Sequence, residues 1–206
     1  MSKKFQLIIP VAGPNDDFKQ FNNHKLLIDI SDKKLIEWVQ ISRPYKLSDG
    51  IFIFQKKHNE KYNLVNKISK LLGKRIKYFL LNSYTDGAPQ SILKIKHMID
   101  PKKPLFIDLL DQYIDFKKFF KFCLLNKYDG CVPIFQSLYF NRGYSILDKK
   151  RYIKKISEKD PKPISTNSTG CVSYFREARY FFDHSELMIE KKKSIQEWKI
   201  YGKSSI

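Results

Sequence analysis

Two acidic residues, Asp108 and Asp111, follow a short apolar run near the middle of the chain. The run Leu105-Phe106-Ile107 has the length and composition of a buried strand, so both carboxylates lie where such a strand ends. A carboxylate at the end of a strand can hold Mg²⁺ against the phosphates of a substrate. The same residue type also caps helices, so the local pattern leaves both interpretations open.

Small residues stand at two other turns, where backbone N–H groups could approach a phosphate or a base edge. Ala12 and Gly13 follow the first apolar run, and Asp86-Gly87 opens a helix-like stretch that contains Gln90. Glycine permits close approach of the backbone to a ligand, and successive N–H groups can form a concavity that binds anions. A tight turn between a strand and a helix has the same composition, so each turn alone is weak evidence for a site.

Two basic residues have neighbours that suggest a role. Lys25 begins the segment Lys25-Leu26-Leu27-Ile28-Asp29, where it would act as a point charge toward phosphate, although solvent exposure is the better interpretation on local grounds. Glu158 and Lys159 combine an acceptor for sugar hydroxyls with a cation for phosphate. Judged locally, they form only a surface ion pair. The four histidines are far apart and predict neither a metal site nor a triad.

Alternating strands and helices must position these residues. Strand-length apolar runs at residues 5–11, 51–54, 76–80 and 105–107 are separated by stretches whose apolar residues recur at helical spacing, among them residues 62–72 and 92–99. This order predicts an α/β fold with a mostly parallel sheet and helices on both faces. Ligands of open parallel sheets bind beyond the carboxyl ends of the strands. We therefore expect the turns at Gly13 and Gly87 and the acid Asp111 to converge on one edge.

The pattern changes at about Tyr128. Short strand-like runs at residues 131–136, 144–147, 152–156 and 171–174 follow one another closely, and one helix is predicted over 176–190. We expect one domain over residues 1–206. It would consist of a parallel core (1–127), a mixed β section (128–190) and a weakly structured tail (191–206).

Composition excludes several classes of protein. With 206 residues, of which 42% are hydrophobic, the chain can bury a core and is not disordered. No apolar run approaches the ~20 residues of a membrane helix, so we expect no membrane insertion. The three cysteines, Cys123, Cys131 and Cys171, are odd in number and lack CxxC spacing, which indicates neither a disulfide framework nor a zinc site and favours the cytoplasm.

The formal net charge of +18 raises the question of nucleic-acid binding. The lysines, however, occur in every segment and accompany an abundance of Ile, Phe, Tyr and Asn, a joint bias typical of an AT-rich genome. Clusters at residues 149–151, 154–155 and 191–193 are best interpreted as solvated faces. We therefore expect no nucleic-acid partner, while the charge still favours anionic ligands such as nucleotides and sugar phosphates.

Taken in order, these segments resemble the sugar-1-phosphate nucleotidylyltransferases, and most closely the branch found in bacterial capsule and surface-polysaccharide loci. The likeness runs from Phe5 to about Ile189. The matching motifs are residues 8–13 for the opening strand and loop, 25–30 with 34–39, His58-Asn59, the turn 86–90, Asp111-Gln112, Glu158-Lys159 and residues 168–175.

The resemblance implies a Rossmann-like, nucleotide-diphospho-sugar transferase-like fold. It also implies transfer of a nucleoside monophosphate from a nucleoside triphosphate to a sugar-1-phosphate, for capsule or lipopolysaccharide precursors, with Mg²⁺ as cofactor. On the matching positions, Lys25 and Asp111 would be catalytic, and Asp111 would also bind the metal. The nucleotide would contact Ala12, Gly13, Asp86, Gly87 and Gln90, and the sugar would contact Glu158, Lys159 and Gly170. Residues 1–127 would then be the nucleotide-binding core, and the mixed β section 128–190 would bind the sugar. A homo-oligomer is compatible with this assignment.

Departures from the family pattern keep two further hypotheses open. Asn15 and Asp17 stand where the family has a glycine and an arginine, and the sequence ends at Ile206, before the family's closing strand and helix. Both favour a degenerate member that binds a nucleotide or sugar nucleotide without transferring it. The other hypothesis is a sugar-nucleotide-dependent glycosyltransferase, which would use Asp108 and Asp111 as a DxxD-like metal motif.

Overall fold

The computed structural model describes residues 5–139, 142–158 and 162–201, except for the side chains of Asp17, Glu158 and residues 192–201. In its first part, strands alternate with helices in the order β1 (Gln6–Val11), β2 (Asp29–Ile30), β3 (Lys33–Lys34), α1 (Leu35–Ser42), β4 (Ile51–Gln55), α2 (Lys56–Tyr62), α3 (Leu64–Leu71), β5 (Lys77–Leu81), α4 (Ala88–Leu93), β6 (Leu105–Asp108) and α5 (Lys117–Leu125). The second part contains β7 (Gly130–Cys131), β8 (Ile134–Gln136), β9 (Gly143–Leu147), β10 (Ile153–Glu158), β11 (Asn167–Thr169), β12 (Val172–Phe175) and α6 (Ala178–Tyr201).

A six-stranded central sheet has the order β5-β4-β1-β6-β12-β7. Strands β5, β4, β1 and β6 are parallel, so their carboxyl ends share one edge, whereas β12 runs antiparallel to β6. The register pairs Val172 with Asp108, which brings the beginning of β12 to the same edge. We call this edge, with the loops that follow it, the carboxyl edge. The predicted α/β fold with a mostly parallel sheet and helices on both faces is confirmed.

Helices cover both faces of the central sheet. Successive side chains of a strand point to opposite sides, so both sets of side chains are buried. In β1, Leu7, Ile9 and Val11 belong to one apolar cluster and Ile8 to another. The first cluster also receives buried side chains from α1, α3 and α5, and the second receives them from α4 and α6. This continuous apolar character explains why the parallel strands were recognisable as uninterrupted hydrophobic runs.

A second, antiparallel sheet with the order β10-β9-β11-β8 is formed by the later part of the chain. Strand β11 leads directly into β12 of the central sheet, with only Gly170 and Cys171 between them. The second sheet is therefore attached next to the carboxyl edge, as the change of pattern near Tyr128 suggested.

The helices differ from the predicted pattern in three places. The apolar repeat from Tyr62 to Leu72 is divided by Asn63, whose φ of 52° is left-handed and ends α2 before α3 begins. The repeat at residues 92–99 forms α4 and then a 3-10 turn, Lys96–Met98. Finally, α6 continues to Tyr201, so residues 191–201 are helical where weak structure was expected.

No helix in the described ranges is both long enough and apolar enough to cross a bilayer.

Candidate functional site

The side chain of Gln55 joins two of the loops at the carboxyl edge. It lies at the end of β4, between β1 and β5, and its Nε2 donates to the carbonyl oxygens of Ala12 and Ser83, each at 3.1 Å. Gln55 is buried, so these bonds are shielded from water. The turn after β1 and the loop after β5 are thereby held together, as the expected convergence of Gly13 and Gly87 requires.

The loop after β1 offers open space at Gly13 and an anchored backbone beyond it. A Cβ added at Gly13 would meet no heavy atom within 4 Å, whereas Ala12 is buried. The side chain of Asn15 donates to the Asn23 carbonyl and accepts from the Lys25 N–H, both at 2.9 Å. Asn15 therefore fixes the backbone of Lys25 beside this turn, and the Lys25 side chain is half-buried there.

The turn after β5 depends on a glycine and an amide side chain. Gly87 has a φ of 92°, a conformation that other residues rarely adopt, and it caps α4. The Oε1 atom of Gln90 accepts from the Asp86 N–H at 2.9 Å. Gln90 thus shapes the turn with its side-chain oxygen.

Asp108 belongs to a buried ionic cluster. Its carboxylate accepts from Arg43 Nε at 2.6 Å and Nη2 at 3.1 Å, from the Tyr45 hydroxyl at 2.9 Å and from the Leu110 N–H at 3.0 Å. The side chains of Arg43 and Asp108 are both 0% exposed. The guanidinium also lies 4.4 Å from the centre of the Phe116 ring. A carboxylate engaged in this way is a structural anchor, so a metal motif formed jointly by Asp108 and Asp111 has no support in the geometry.

Asp111 differs from Asp108 in being exposed at the carboxyl edge. Leu110, between them, has a left-handed φ of 57°, and its side chain is fully buried. That conformation costs roughly 1–2 kcal/mol in a residue with a Cβ, and the bond from its N–H to Asp108 helps to hold it. The buried cluster therefore determines where the chain turns and where Asp111 emerges.

A single exposed carboxylate is better suited to a Mg²⁺ ion that also binds a substrate than to a Mg²⁺ ion held by protein ligands alone. The described residues contain no group of three or more His, Cys, Asp or Glu placed to hold a metal. Mg²⁺ commonly binds one or two carboxylates together with phosphate oxygens and waters, and Asp111 satisfies that requirement.

Gly170 lies at the same edge, immediately before β12. The Gln112 Oε1 accepts from the Cys171 N–H at 3.0 Å, and the Gly170 N–H donates to the Pro133 carbonyl at 2.8 Å. A Cβ at Gly170 would lie only 2.7 Å from Pro133 Cγ, so the position requires glycine. These contacts bring Gly170 next to Gln112 and hence close to Asp111.

Glu158 is the last residue of β10 in the second sheet, and its backbone lies near Gly170. Glu158 pairs with Gly143, and the Gly143 carbonyl accepts from the Thr169 hydroxyl at 3.3 Å. The Glu158 side chain and Lys159 lie outside the described part of the structure, so their predicted sugar contacts remain predictions.

The fold of this chain is similar to that of solved nucleotidyltransferases. A Bacillus anthracis protein assigned as a glucose-1-phosphate thymidylyltransferase, solved with a sucrose, superposes with a TM-score of 0.68 at 15% identity, over 86% of this chain and 73% of that one. A nucleoside-diphosphate-sugar pyrophosphorylase from Vibrio cholerae RC9 gives 0.67 at 15% identity, over 89% and 78%. A UDP-glucose pyrophosphorylase complexed with UDP-glucose gives 0.63 at 15% identity, over 88% and 79%.

The chain has the nucleotide-diphospho-sugar transferase-like fold. No protein-family model and no curated protein matches the sequence. Similarity of fold at this level of identity concerns the scaffold, so the function is argued from the residues.

Two buried histidines, His24 and His58, lie close together at the carboxyl edge, a contact that local sequence patterns did not predict. Their rings lie 5.7 Å apart, and His58 Nε2 is 3.2 Å from the Tyr84 hydroxyl. Burial, with the nearby charges of His58 and Lys25, lowers the pKa of His24 to about 3. Burial also lowers the pKa of His58. His24 is therefore neutral near pH 7, and its Nδ1 accepts from the Leu26 N–H at 3.4 Å.

Gln55 and Arg43 are the other residues that sequence reasoning missed. The only available signal for Gln55 was its position at the end of an apolar run. Arg43 carried no distinguishing local pattern in a chain with 39 basic residues. Its partner lies 65 positions away.

Proposed function

We propose that this protein transfers a nucleoside monophosphate from a nucleoside triphosphate to a sugar-1-phosphate. The observation that carries the proposal is the carboxyl edge itself. The open turn at Gly13, the glycine turn at Gly87 and the exposed carboxylate of Asp111 all follow strands that end at this edge. Between them they offer backbone donors, room for a ligand and a metal ligand, which are the groups that a nucleotide with its phosphates requires.

On this proposal, the nucleotide lies across the turns after β1 and β5. Backbone N–H groups near Gly13 would face phosphate, and the left-handed Gly87 would let the backbone approach the base. Lys25, whose backbone is fixed by Asn15, would add a positive charge toward phosphate. Asp111 would hold Mg²⁺, which supplies charge neutralisation at the phosphates when bound.

The sugar phosphate would occupy the side of the edge toward the second sheet. Gly170 lies beside Gln112, and the absence of a side chain there avoids a collision with Pro133. Glu158 and Lys159 would provide an acceptor for sugar hydroxyls and a cation for the phosphate. These assignments rest on the motif resemblance together with the backbone pairing of Glu158 with Gly143.

The reaction places few demands on the protein beyond alignment and neutralisation of charge. A phosphate oxygen of the sugar-1-phosphate forms a bond to the α-phosphorus, the bond from that phosphorus to the β-phosphate oxygen breaks, and pyrophosphate leaves. Positioning the two reactants and stabilising the charge that develops at phosphorus supply the catalysis. No proton transfer is needed, which is consistent with a neutral His24 beside Lys25.

We further propose, from the motif resemblance, that the activated sugar serves capsule or other surface-polysaccharide synthesis in the cytoplasm. This role depends on the identity of the sugar, so a panel of sugar-1-phosphates tests it together with the activity.

Release of pyrophosphate, measured with a coupled phosphate assay, tests the proposed reaction. The protein would be incubated with Mg²⁺, each of the common nucleoside triphosphates and a panel of sugar-1-phosphates. We expect turnover with at least one pair and a loss of roughly 100-fold or more in Asp111→Asn. Asp115→Asn is the matched control, since it changes an exposed acid of the same loop whose side chain accepts a hydrogen bond from the Lys117 N–H. Equal activity of both variants would contradict the role of Asp111.

Binding without transfer is the second candidate function. It is favoured by Asp17 in the position of the family's arginine and by Asn15, whose side chain fixes the loop where the family has glycine. This alternative would be supported if a nucleotide raises the melting temperature of the protein while the pyrophosphate assay shows no turnover. The glycosyltransferase hypothesis loses its DxxD-like motif, because Arg43 and Tyr45 occupy the Asp108 carboxylate.

A further inference from the structure

A second concave site lies between α5 and the turn that joins β9 to β10. This cavity, which we call the aromatic pocket, has a volume of about 550 Å³. Its walls include Phe119 and Phe122 of α5, Tyr128, and Tyr152 next to β10. A volume of this order accommodates a small organic ligand.

Three of the aromatic rings in the pocket form a connected but uncovered surface. Phe122 and Tyr128 are stacked, with centroids 5.7 Å apart, and Tyr128 meets Tyr152 edge-on at 5.9 Å. Their exposed fractions are 45%, 39% and 51%, respectively. Large rings that contact one another inside a concavity, yet remain this exposed, present apolar area and ring faces suited to a flat ligand.

Two cations stand at the rim of the same pocket. Lys150 and Arg151 line it, and neither forms a salt bridge within the described ranges. They belong to the basic cluster at residues 149–151, so this cluster meets aromatic rings and is more than a solvated face. Unpaired positive charge beside an apolar floor is complementary to a ligand that carries an anionic group at the end of a ring.

The turn that carries these cations is rigidly built. Asp148 accepts from the backbone N–H groups of Lys150 at 2.9 Å and Tyr152 at 2.8 Å, and the Arg151 N–H donates to the Asp148 carbonyl at 2.9 Å. Arg151 has a left-handed φ of 65°. The turn is therefore preorganised, which reduces the entropy lost when a ligand binds.

We propose that the aromatic pocket is a second ligand site, which binds a small molecule that joins a flat ring to a phosphate or carboxylate group. The ring would lie against Phe122, Tyr128 and Tyr152. Lys150 and Arg151 would contact the anionic group. None of the residues that line this site belongs to the predicted catalytic, nucleotide-binding or sugar-binding set, although one of them, Pro133, accepts a hydrogen bond from the Gly170 N–H.

Cys131 provides a reporter at the wall of the pocket. It lines the cavity and is half-buried, whereas Cys123 and Cys171 are buried. A hydrogen bond from the Cys123 thiol lowers the pKa of Cys131, which favours its thiolate and its reaction with maleimide. The rate of Cys131 alkylation, followed by peptide mass, therefore reports whether the pocket is occupied.

The test uses the full chain with 1-naphthyl phosphate as the probe, and with inorganic phosphate and 1-naphthol as controls. We expect 1-naphthyl phosphate to slow the alkylation of Cys131, and each control to act only at a concentration roughly tenfold higher. Lys150→Gln combined with Arg151→Asn should raise the half-protecting concentration by about tenfold or more, since asparagine tolerates the left-handed conformation. Lys149→Gln, in the same turn but outside the pocket lining, is the matched control and should change nothing.

Several results would overturn the proposal. They are no protection by the probe at roughly 10 mM, a concentration at which a specific ligand would be bound, equal protection by 1-naphthol, or equal protection in the Lys150/Arg151 variant. The pyrophosphate assay is a separate measurement, so failure of this site and failure of the proposed activity are distinguishable.

Discussion

Replacing Asp108 with asparagine should destabilise the protein severely, because it removes one charge from a fully buried ion pair. Arg43 and Asp108 are both 0% exposed and are joined by contacts of 2.6 and 3.1 Å. In Asp108→Asn the guanidinium stays buried without a counter-charge. Removing one partner of such a pair costs about 3–5 kcal/mol, a large fraction of a stability of roughly 5–15 kcal/mol.

Urea denaturation measures this loss directly, and thermal unfolding should agree with it. For a chain of 206 residues, a loss of 3–5 kcal/mol corresponds to a decrease in melting temperature of roughly 6–20 °C. Asp49→Asn is the matched control, because Asp49 pairs with Lys74 at 2.7 Å but the two side chains are 58% and 60% exposed. That variant should lose no more than about 1 kcal/mol.

A double variant distinguishes the stability lost with the ion pair from the free-energy cost of burying an unpaired charge. Arg43→Met combined with Asp108→Asn removes both charges, while asparagine keeps an acceptor for Tyr45 and the Leu110 N–H. We expect it to be more stable than Asp108→Asn alone. The reasoning is refuted if Asp108→Asn costs no more than Asp49→Asn, or if removing Arg43 as well restores none of the lost stability.

Three further predictions concern His24 and two glycines. Because burial lowers the pKa of His24 to about 3, the unfolded state binds more protons below pH 6.5, so stability should fall as the pH falls toward 3. Between pH 7.5 and 5.0 the wild type should lose about 2 kcal/mol more than His24→Asn in urea denaturation, and parallel curves would contradict this. Gly170→Ala should cost about 1–3 kcal/mol, because its Cβ would lie 2.7 Å from Pro133 Cγ; an unchanged melting temperature would disprove the clash. Gly13→Ala has open space and should leave stability within about 0.5 kcal/mol but weaken nucleotide binding in calorimetry; unchanged affinity would remove Gly13 from the site.

Short-range patterns were sufficient to predict the sheet but not the contacts at its edge. The runs at β1, β4 and β6 are buried on both faces, so their apolar character is continuous and visible in the sequence, whereas the edge strand β5 begins with two exposed residues. Because parallel strands share a carboxyl edge, the sequence also predicts that the turns at Gly13 and Gly87 and the acid Asp111 lie at that edge.

The anchoring contacts depend on partners far apart in the chain. Asp108 and Asp111 have the same local pattern, and only the arrival of Arg43 from 65 residues away distinguishes a buried anchor from an exposed carboxylate. Gln55 joins Ala12 to Ser83 across 43 and 28 positions. Asn63 adopts a left-handed conformation that a periodic apolar pattern cannot indicate.

Transfer of the α-phosphorus is the most direct test of the proposed function. A nucleoside triphosphate labelled at the α-phosphate would be incubated with Mg²⁺ and a sugar-1-phosphate, and the products would be separated by chromatography. We expect the label to appear in a sugar nucleotide and unlabelled pyrophosphate to be released, and we expect Asp111→Asn to abolish both. Label that stays in the triphosphate for every pair of substrates, with a folded protein that still binds nucleotide, would contradict nucleotidyl transfer.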